Sequence, residues 1–339
     1  MTEQLIDLPE RQATGDLLTI ENLHTEFRRG DDTIYAVNGV SLSVAPGETL
    51  GIVGESGSGK SVSLLTTLGL ARGARSISGS ARFMGTDLLK LRRRQLEDIR
   101  GRDIGMIFQD PMTSLNPTMR IGDQIMEAML THQYTNRKGA FTRTLELLDR
   151  VGIPEPRARF KSYPHEFSGG MRQRAMIAMA IACEPQLLIA DEATTAVDVT
   201  VQAQILELLD DLRRERKMSI IVVTHDFGVA TNFCDRIIVL YAGMVMESAQ
   251  LEEFLTRPAH PYTVGLKSSV IEVGQRGRDL TLIPGLTAAL TEPPRSCPFA
   301  PRCDMAVDRC REEVPELRSI GLAHDVACHR AEEVMARAN

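Results

Sequence analysis

Long apolar runs are missing from this sequence. The longest uncharged one, Ala175 to Cys183, falls far short of the ~18 residues that a membrane-spanning helix needs. No segment is therefore expected to cross a membrane as a helix. The first residues, MTEQLIDLPERQ, lack a cationic start followed by an apolar stretch, so no signal peptide is expected. Excess positive charge is also missing: the net charge is −6, which weighs against a nucleic-acid binder. The one basic run, Lys90-Leu91-Arg92-Arg93-Arg94, reads as a solvated helix face, because Glu97 and Asp98 follow within helical reach. Cysteine is scarce, six in 339 residues, yet four of the six (Cys297, Cys303, Cys310, Cys328) fall in the last 43. Without export the expected compartment is the reducing cytosol, where clustered cysteines are metal ligands or redox groups rather than disulfides. Hydrophobic content of 43% is ordinary for a globular protein, and the length calls for one large domain with an appendage, or two domains.

Against these absences stands a pattern that binds phosphate. Glu48 to Val53 reads as a short buried strand leading into Gly54-Glu55-Ser56-Gly57-Ser58-Gly59-Lys60-Ser61, and Val62 to Leu70 reads as an apolar helix. In a strand, G-x-x-x-x-G-K-S loop and helix, backbone N–H groups turn around phosphate oxygens and the helix N-terminus adds its positive dipole end. Gly54, Ser56, Gly57, Ser58 and Gly59 are the expected loop contacts, with Lys60 reaching the β- and γ-phosphates and the Ser61 hydroxyl binding Mg²⁺. Gln186 to Glu192 is a second strand, its apolar residues ending in two acids at the carboxyl end, where parallel sheets bind ligands. Asp191 is the expected Mg²⁺ holder and Glu192 the group that polarises the attacking water. A third strand, Met218 to Thr224, ends at His225, which can donate to a γ-phosphate, although a lone strand-end histidine is more often structural.

Between these elements, Phe167-Ser168-Gly169-Gly170-Met171-Arg172-Gln173-Arg174 opens an apolar segment. Here the sequence resembles the ATP-binding cassette (ABC) ATPases, whose signature is a serine and two glycines opening a helix. The order of elements over residues 17 to 248 fits that family: phosphate loop, Gln109 in FQDPMTSLNP, signature, Asp191-Glu192, TAVD ending at Asp198, then His225. The resemblance implies an α/β fold, a P-loop NTPase ABC cassette with a RecA-like core, an antiparallel β subdomain with strands at 17–28 and 34–45, and a helical subdomain at about 115–168. It implies ATP and Mg²⁺, with Glu192, His225 and Gln109 catalytic, Gln109 joining Ser61 and Asp191 at the metal, and Asp198 at the ATP. Phe27, with Tyr35 as runner-up, is the expected aromatic face for adenine. Ser168 and the N–H groups of Gly169 and Gly170 make an anion site that the family offers to ATP held by a partner's loop, so two cassettes face each other head to tail. Ala193 replaces the usual proline and Val197 the usual leucine, and neither change removes a catalytic group.

From about residue 258 the chain is punctuated by proline and glycine, which divides it into a nucleotide-binding domain, 1–257, and an extension, 258–339. Arg257-Pro258-Ala259-His260-Pro261-Tyr262-Thr263 closely resembles the C-terminal extension of ABC ATPases serving dipeptide, oligopeptide and nickel importers. That resemblance implies ATP-driven import of di- and oligopeptides, with a nickel or antimicrobial-peptide transporter as the alternative. It implies a place on the cytoplasmic side of the inner membrane. Its expected partners are a second homologous ATPase, most simply in a heterodimer, two permease subunits and an extracytoplasmic peptide-binding protein, with no nucleic acid. A soluble ABC ATPase acting on DNA or ribosomes would show two cassettes or a long coiled-coil insertion, and neither is present. The C-x5-C-x6-C-x17-C spacing is unlike the paired C-x2-C of most structural zinc sites. Four thiolates suit a 4Fe-4S cluster or zinc, with free or disulfide-forming thiols as the remaining alternative, and the family resemblance favours the cluster. His324 and His329 flank Cys328 as an alternate ligand or as surface residues, and Cys183 and Cys234 read as small core residues.

Overall fold

The computed structural model describes residues 15–193, 199–268, 283–285, 287 and 290–338. Its strands in chain order are β1 Leu18–Arg29, β2 Asp32–Val44, β3 Thr49–Val53, β4 Ala74–Phe83, β5 Thr86–Asp87, β6 Ile104–Ile107, β7 Leu187–Asp191, β8 Ser219–Thr224, β9 Arg236–Tyr241, β10 Met244–Gln250, β11 Arg318–Gly321 and β12 His324–Val326. The chain divides into two compact units. One gathers Lys90–Val222 with Ala45–Glu48, and the other gathers Leu18–Val44, Thr49–Leu89 and the chain from Val223 onward.

In the second unit, a four-stranded antiparallel sheet runs in the order β2-β1-β4-β5. A two-residue turn at Gly30-Asp31 joins β1 to β2, and Gly30 at φ 63 supplies the left-handed backbone such a hairpin needs. Leu18, Ile20, Val40, Val44, Ala81 and Phe83 are buried along these strands, so the strands expected at 17–28 and 34–45 form within a few residues of those bounds. The same unit holds the strand series β11-β12-β10-β9-β3. Parallel β3 and β9 pair Leu50 with Arg236 and Val53 with Val239, and every residue of β3 is buried, the unbroken apolar pattern of a strand covered on both faces. The hairpin β11–β12, late in the chain, pairs antiparallel onto β10, Glu247 opposite Val326. Sequence reading does not anticipate it, because Arg318–Gly321 is short and mostly exposed.

In the first unit, β8, β7 and β6 are neighbours in that order, with β6 and β7 parallel. Helices Ile121–Thr131, Arg137–Arg150, Pro156–Arg159 and Gly169–Ala180 bury Ile125, Met129, Leu147, Leu148, Met176 and Ile177. The helical segment expected at 115–168 is thus present. The apolar run to Cys183 stops being helical at Ala180, and a turn through Glu184 at φ 53 precedes Pro185. Only part of the basic run lies on a helix: Lys90 closes a 3₁₀ turn, Arg92 is extended, and the helix begins at Arg93, whose Nε meets Glu97 at 2.8 Å. No helix among the described residues is long and apolar enough to cross a membrane.

Candidate nucleotide site and cysteine cavity

The loop expected to bind phosphate begins where β3 ends. Gly54 and Gly59 have positive φ, 153° and 96°, and each is packed against backbone: a Cβ on Gly54 would stand 2.3 Å from the Leu240 carbonyl oxygen, and one on Gly59 2.6 Å from that of Ala36. Any side chain there would push the loop off its support. Lys60 opens the helix Lys60–Thr67 and is 4% exposed. Its ammonium donates to the carbonyls of Gly54 at 2.7 Å and Glu55 at 2.8 Å, so the cation lies within the curl of the loop. Ser58 is buried, Ser61 half-buried, and Ser56 and Gly57 exposed. In the same unit Phe27 and Tyr35, on β1 and β2, are both half-buried and stand opposite Ile34 and Glu26. His225, just past β8, is exposed.

The first unit carries the acids and the signature. Asp191 ends buried β7 and is 5% exposed, while Glu192 follows at φ 50 and is half-buried. Gln109, exposed just after β6, donates from Nε2 to Glu192 Oε2 at 2.6 Å. A pair that the sequence separates by 83 positions is thereby brought together. Gln173 donates to the Ala193 carbonyl at 2.5 Å, tying the signature helix to the segment after the acids. Ser168 caps helix Gly169–Ala180, its Oγ accepting from Met171 N–H at 3.3 Å. Ser168 and Gly169 are exposed, and a Cβ on Gly169 would meet nothing within 4 Å. Asp198, with Val197, lies outside the described residues.

The four tail cysteines line one cavity of about 20 Å³, together with His260, Pro315 and His329. Burial pushes the Cys297 thiol up to about 11 against the backbone N–H groups of Phe299 and Ala300, which favour the thiolate. Burial likewise pushes Cys328 up to about 12, against the Arg330 N–H at 3.4 Å from its sulfur, and raises Cys303 against the Met305 N–H. Among the described residues no group of three or more His, Cys, Asp or Glu is close enough to hold a metal ion. His324 is neither a surface residue nor a neighbour of this cavity. It is 3% exposed, and its Nε2 is 2.9 Å from Glu247 Oε1. Cys183 and Cys234 are 4% and 3% exposed, core residues as expected.

Residues 37–195 match the family model described as ABC transporter, and residues 246–310 match that described as oligopeptide/dipeptide transporter, C-terminal region. The oligopeptide transport ATP-binding protein OppD of Salmonella typhimurium is 48% identical over 304 residues, 90% of this chain and 91% of its own length. That of Haemophilus influenzae is 48% identical over 295 residues, 87% of this chain and 91% of its own. The chain belongs to the peptide-importer ABC ATPases. A solved dimeric ATP-binding cassette in a post-hydrolysis state, bound to ADP and Pi, superposes with a TM-score of 0.63 at 30% identity, over 69% of this chain and 98% of the other. The fold of this importer ATPase is thus the mixed α/β cassette. Cys297, Cys303 and Cys310 lie inside the second family match and Cys328 beyond its end.

Sequence reasoning passes over several residues of the site. Asn38 Nδ2 bridges the carbonyls of Tyr35 and Ala242, each at 3.0 Å, and so fixes the backbone beside Gly59 and Gly243. Tyr262, in the RPAHPYT segment, accepts from the Glu55 N–H at 2.9 Å, and Arg302 pairs with the Glu55 carboxylate. Partners so distant in sequence leave no local signal.

Proposed function

We propose that this chain is the subunit that binds and hydrolyses ATP to power import of di- and oligopeptides across the cytoplasmic membrane. It works with a second homologous ATPase, two permease subunits and an extracytoplasmic peptide-binding protein, and it sits on the cytoplasmic side. Relatives named as oligopeptide transport proteins, matched over nine-tenths of the chain, support the cargo class. The geometric observation that carries the catalytic reading is the 2.6 Å hydrogen bond from Gln109 to Glu192. It holds the carboxylate that would accept the proton of the attacking water beside an amide able to orient that water.

In this reading the N–H groups of Gly54–Gly59 and the Lys60 ammonium hold the β- and γ-phosphates, and His225 donates to the γ-phosphate. Phe27, before Tyr35, stacks on the adenine, and Asp198 lies at the ATP. Ser61, Asp191 and Gln109 would hold Mg²⁺, which would supply positive charge against the phosphates. Ser168, Gly169 and Gly170 contact ATP held by the partner ATPase. Residues 1–257 form the nucleotide-binding domain and 258–339 its extension. ATP-dependent uptake of labelled peptide by the reconstituted transporter tests the reading. Uptake that continues without ATP would overturn it, and nickel uptake in its place would select the alternative cargo.

Cys297, Cys303, Cys310 and Cys328 are proposed as ligands of a 4Fe-4S cluster. Their convergence on one cavity whose lining has no carboxylate supports a soft cation. Such a cluster supplies a cross-link, or a one-electron store. Equal iron and sulfide in anaerobically purified protein are expected, whereas zinc with neither would contradict the assignment.

A further inference from the structure

We infer that Arg302, within the cysteine-rich extension, is a positioning residue for ATP, acting through Glu55 of the phosphate loop. The Arg302 guanidinium forks onto the Glu55 carboxylate, Nη1 to Oε2 at 2.7 Å and Nη2 to Oε1 at 2.9 Å. The fork is itself held: Nε donates to the Pro284 carbonyl at 2.7 Å and Nη1 to the Tyr241 hydroxyl at 3.3 Å, and the guanidinium lies 5.6 Å from the centre of the Tyr241 ring. Its side chain is only 7% exposed and that of Glu55 28%, so water reaches the pair chiefly from the glutamate side. Tyr262, also of the extension and fully buried, takes the Glu55 N–H at 2.9 Å. The Glu55 carbonyl in turn accepts from Lys60 at 2.8 Å.

Two side chains of the extension therefore grip the second residue of the loop, and that residue grips the lysine. Gly54 and Gly57 on either side of Glu55 have positive φ, a backbone that left alone would sample many shapes. Fixing Glu55 selects one of them before ATP arrives, which favours binding without any contact to the nucleotide. Burial opposes ionisation of Glu55, and the hydrogen bonds from Arg302 and Thr287 outweigh it, holding its carboxyl below the ordinary range. Nothing in the sequence pairs these two residues, which lie 247 positions apart.

The inference rests on reading Gly54–Ser61 as the ATP loop, and the experiment separates the two. In the assembled transporter, Arg302→Ala, Arg302→Lys and Glu55→Gln should each raise the KM for ATP about tenfold, with the loss falling on KM rather than kcat. The double variant Arg302→Ala/Glu55→Gln should lose no more than either alone. A merely structural arginine would give the opposite split, a lower kcat from a smaller folded fraction at unchanged KM. If Arg302→Ala fails to fold, Arg302→Lys and Glu55→Gln decide the matter, and a wild-type KM in either overturns the inference. Lys60→Ala is the control, because a wild-type KM there would overturn the loop reading itself.

Discussion

Burial decides what individual side chains of this protein can do. Cys234, 3% exposed, has its thiol pushed up to about 12, chiefly by burial, from an ordinary value of 9.0. The folded state therefore keeps a proton that the unfolded chain releases above about pH 9, so stability is full below that pH and falls as pH rises toward 12. Between pH 8 and pH 10 the wild type should lose about 1 kcal/mol more than Cys234→Ala, as thermal or denaturant melts of the two would show. Candidate residues of the proposed nucleotide site could be named from the sequence wherever chemistry and spacing are local. Lys60 and Ser61 open one helix, Asp191 ends one strand with Glu192 next to it, and Ser168 caps one helix. Arg302 and Tyr262 were not legible, because the chain segments that bring them to Glu55 fold together only in three dimensions.

Among the elements, β3 and the tail hairpin are the most exacting. Gly51, in the middle of β3, faces Cys234, and a Cβ there would stand 2.9 Å from its sulfur and 3.5 Å from the Ala230 Cβ. Gly51→Ala should cost about 1–3 kcal/mol by overpacking. The cost should shrink in a Cys234→Ala background, and a double-mutant cycle on unfolding free energies measures that coupling. Within β10, Glu247 is fully buried and accepts from the N–H groups of Ala259 and His260 at 2.8 and 2.9 Å as well as pairing with His324. His324→Ala removes a partner from that carboxylate and should destabilise the fold by about 1–3 kcal/mol in urea melts. The fully buried strands β3, β7 and β8 were readable as apolar runs. β11 and β12 were not, since strands of four and three residues with polar faces carry no periodicity to read.

For the whole molecule, Ser168 and Gly169 are exposed at the start of helix Gly169–Ala180, and the proposed reading gives them to ATP held by a partner ATPase. Ser168→Arg should suppress ATP turnover of the assembled pair while leaving this chain's own ATP affinity near wild type. Unchanged turnover would remove the in-trans role. Residues after 258, which sequence punctuation marks off as a tail, contribute two strands to a sheet, and Arg302 among them pairs with Glu55. Their placement there could not be read from proline and glycine spacing alone. The central claim, that ATP hydrolysis at Glu192 drives peptide import, meets its most direct test in Glu192→Gln within the complete transporter, with ATP binding, phosphate release and peptide uptake measured together. The account predicts that ATP still binds while phosphate release falls by about 10²-fold or more and uptake stops. Phosphate release and uptake at wild-type rates would contradict it.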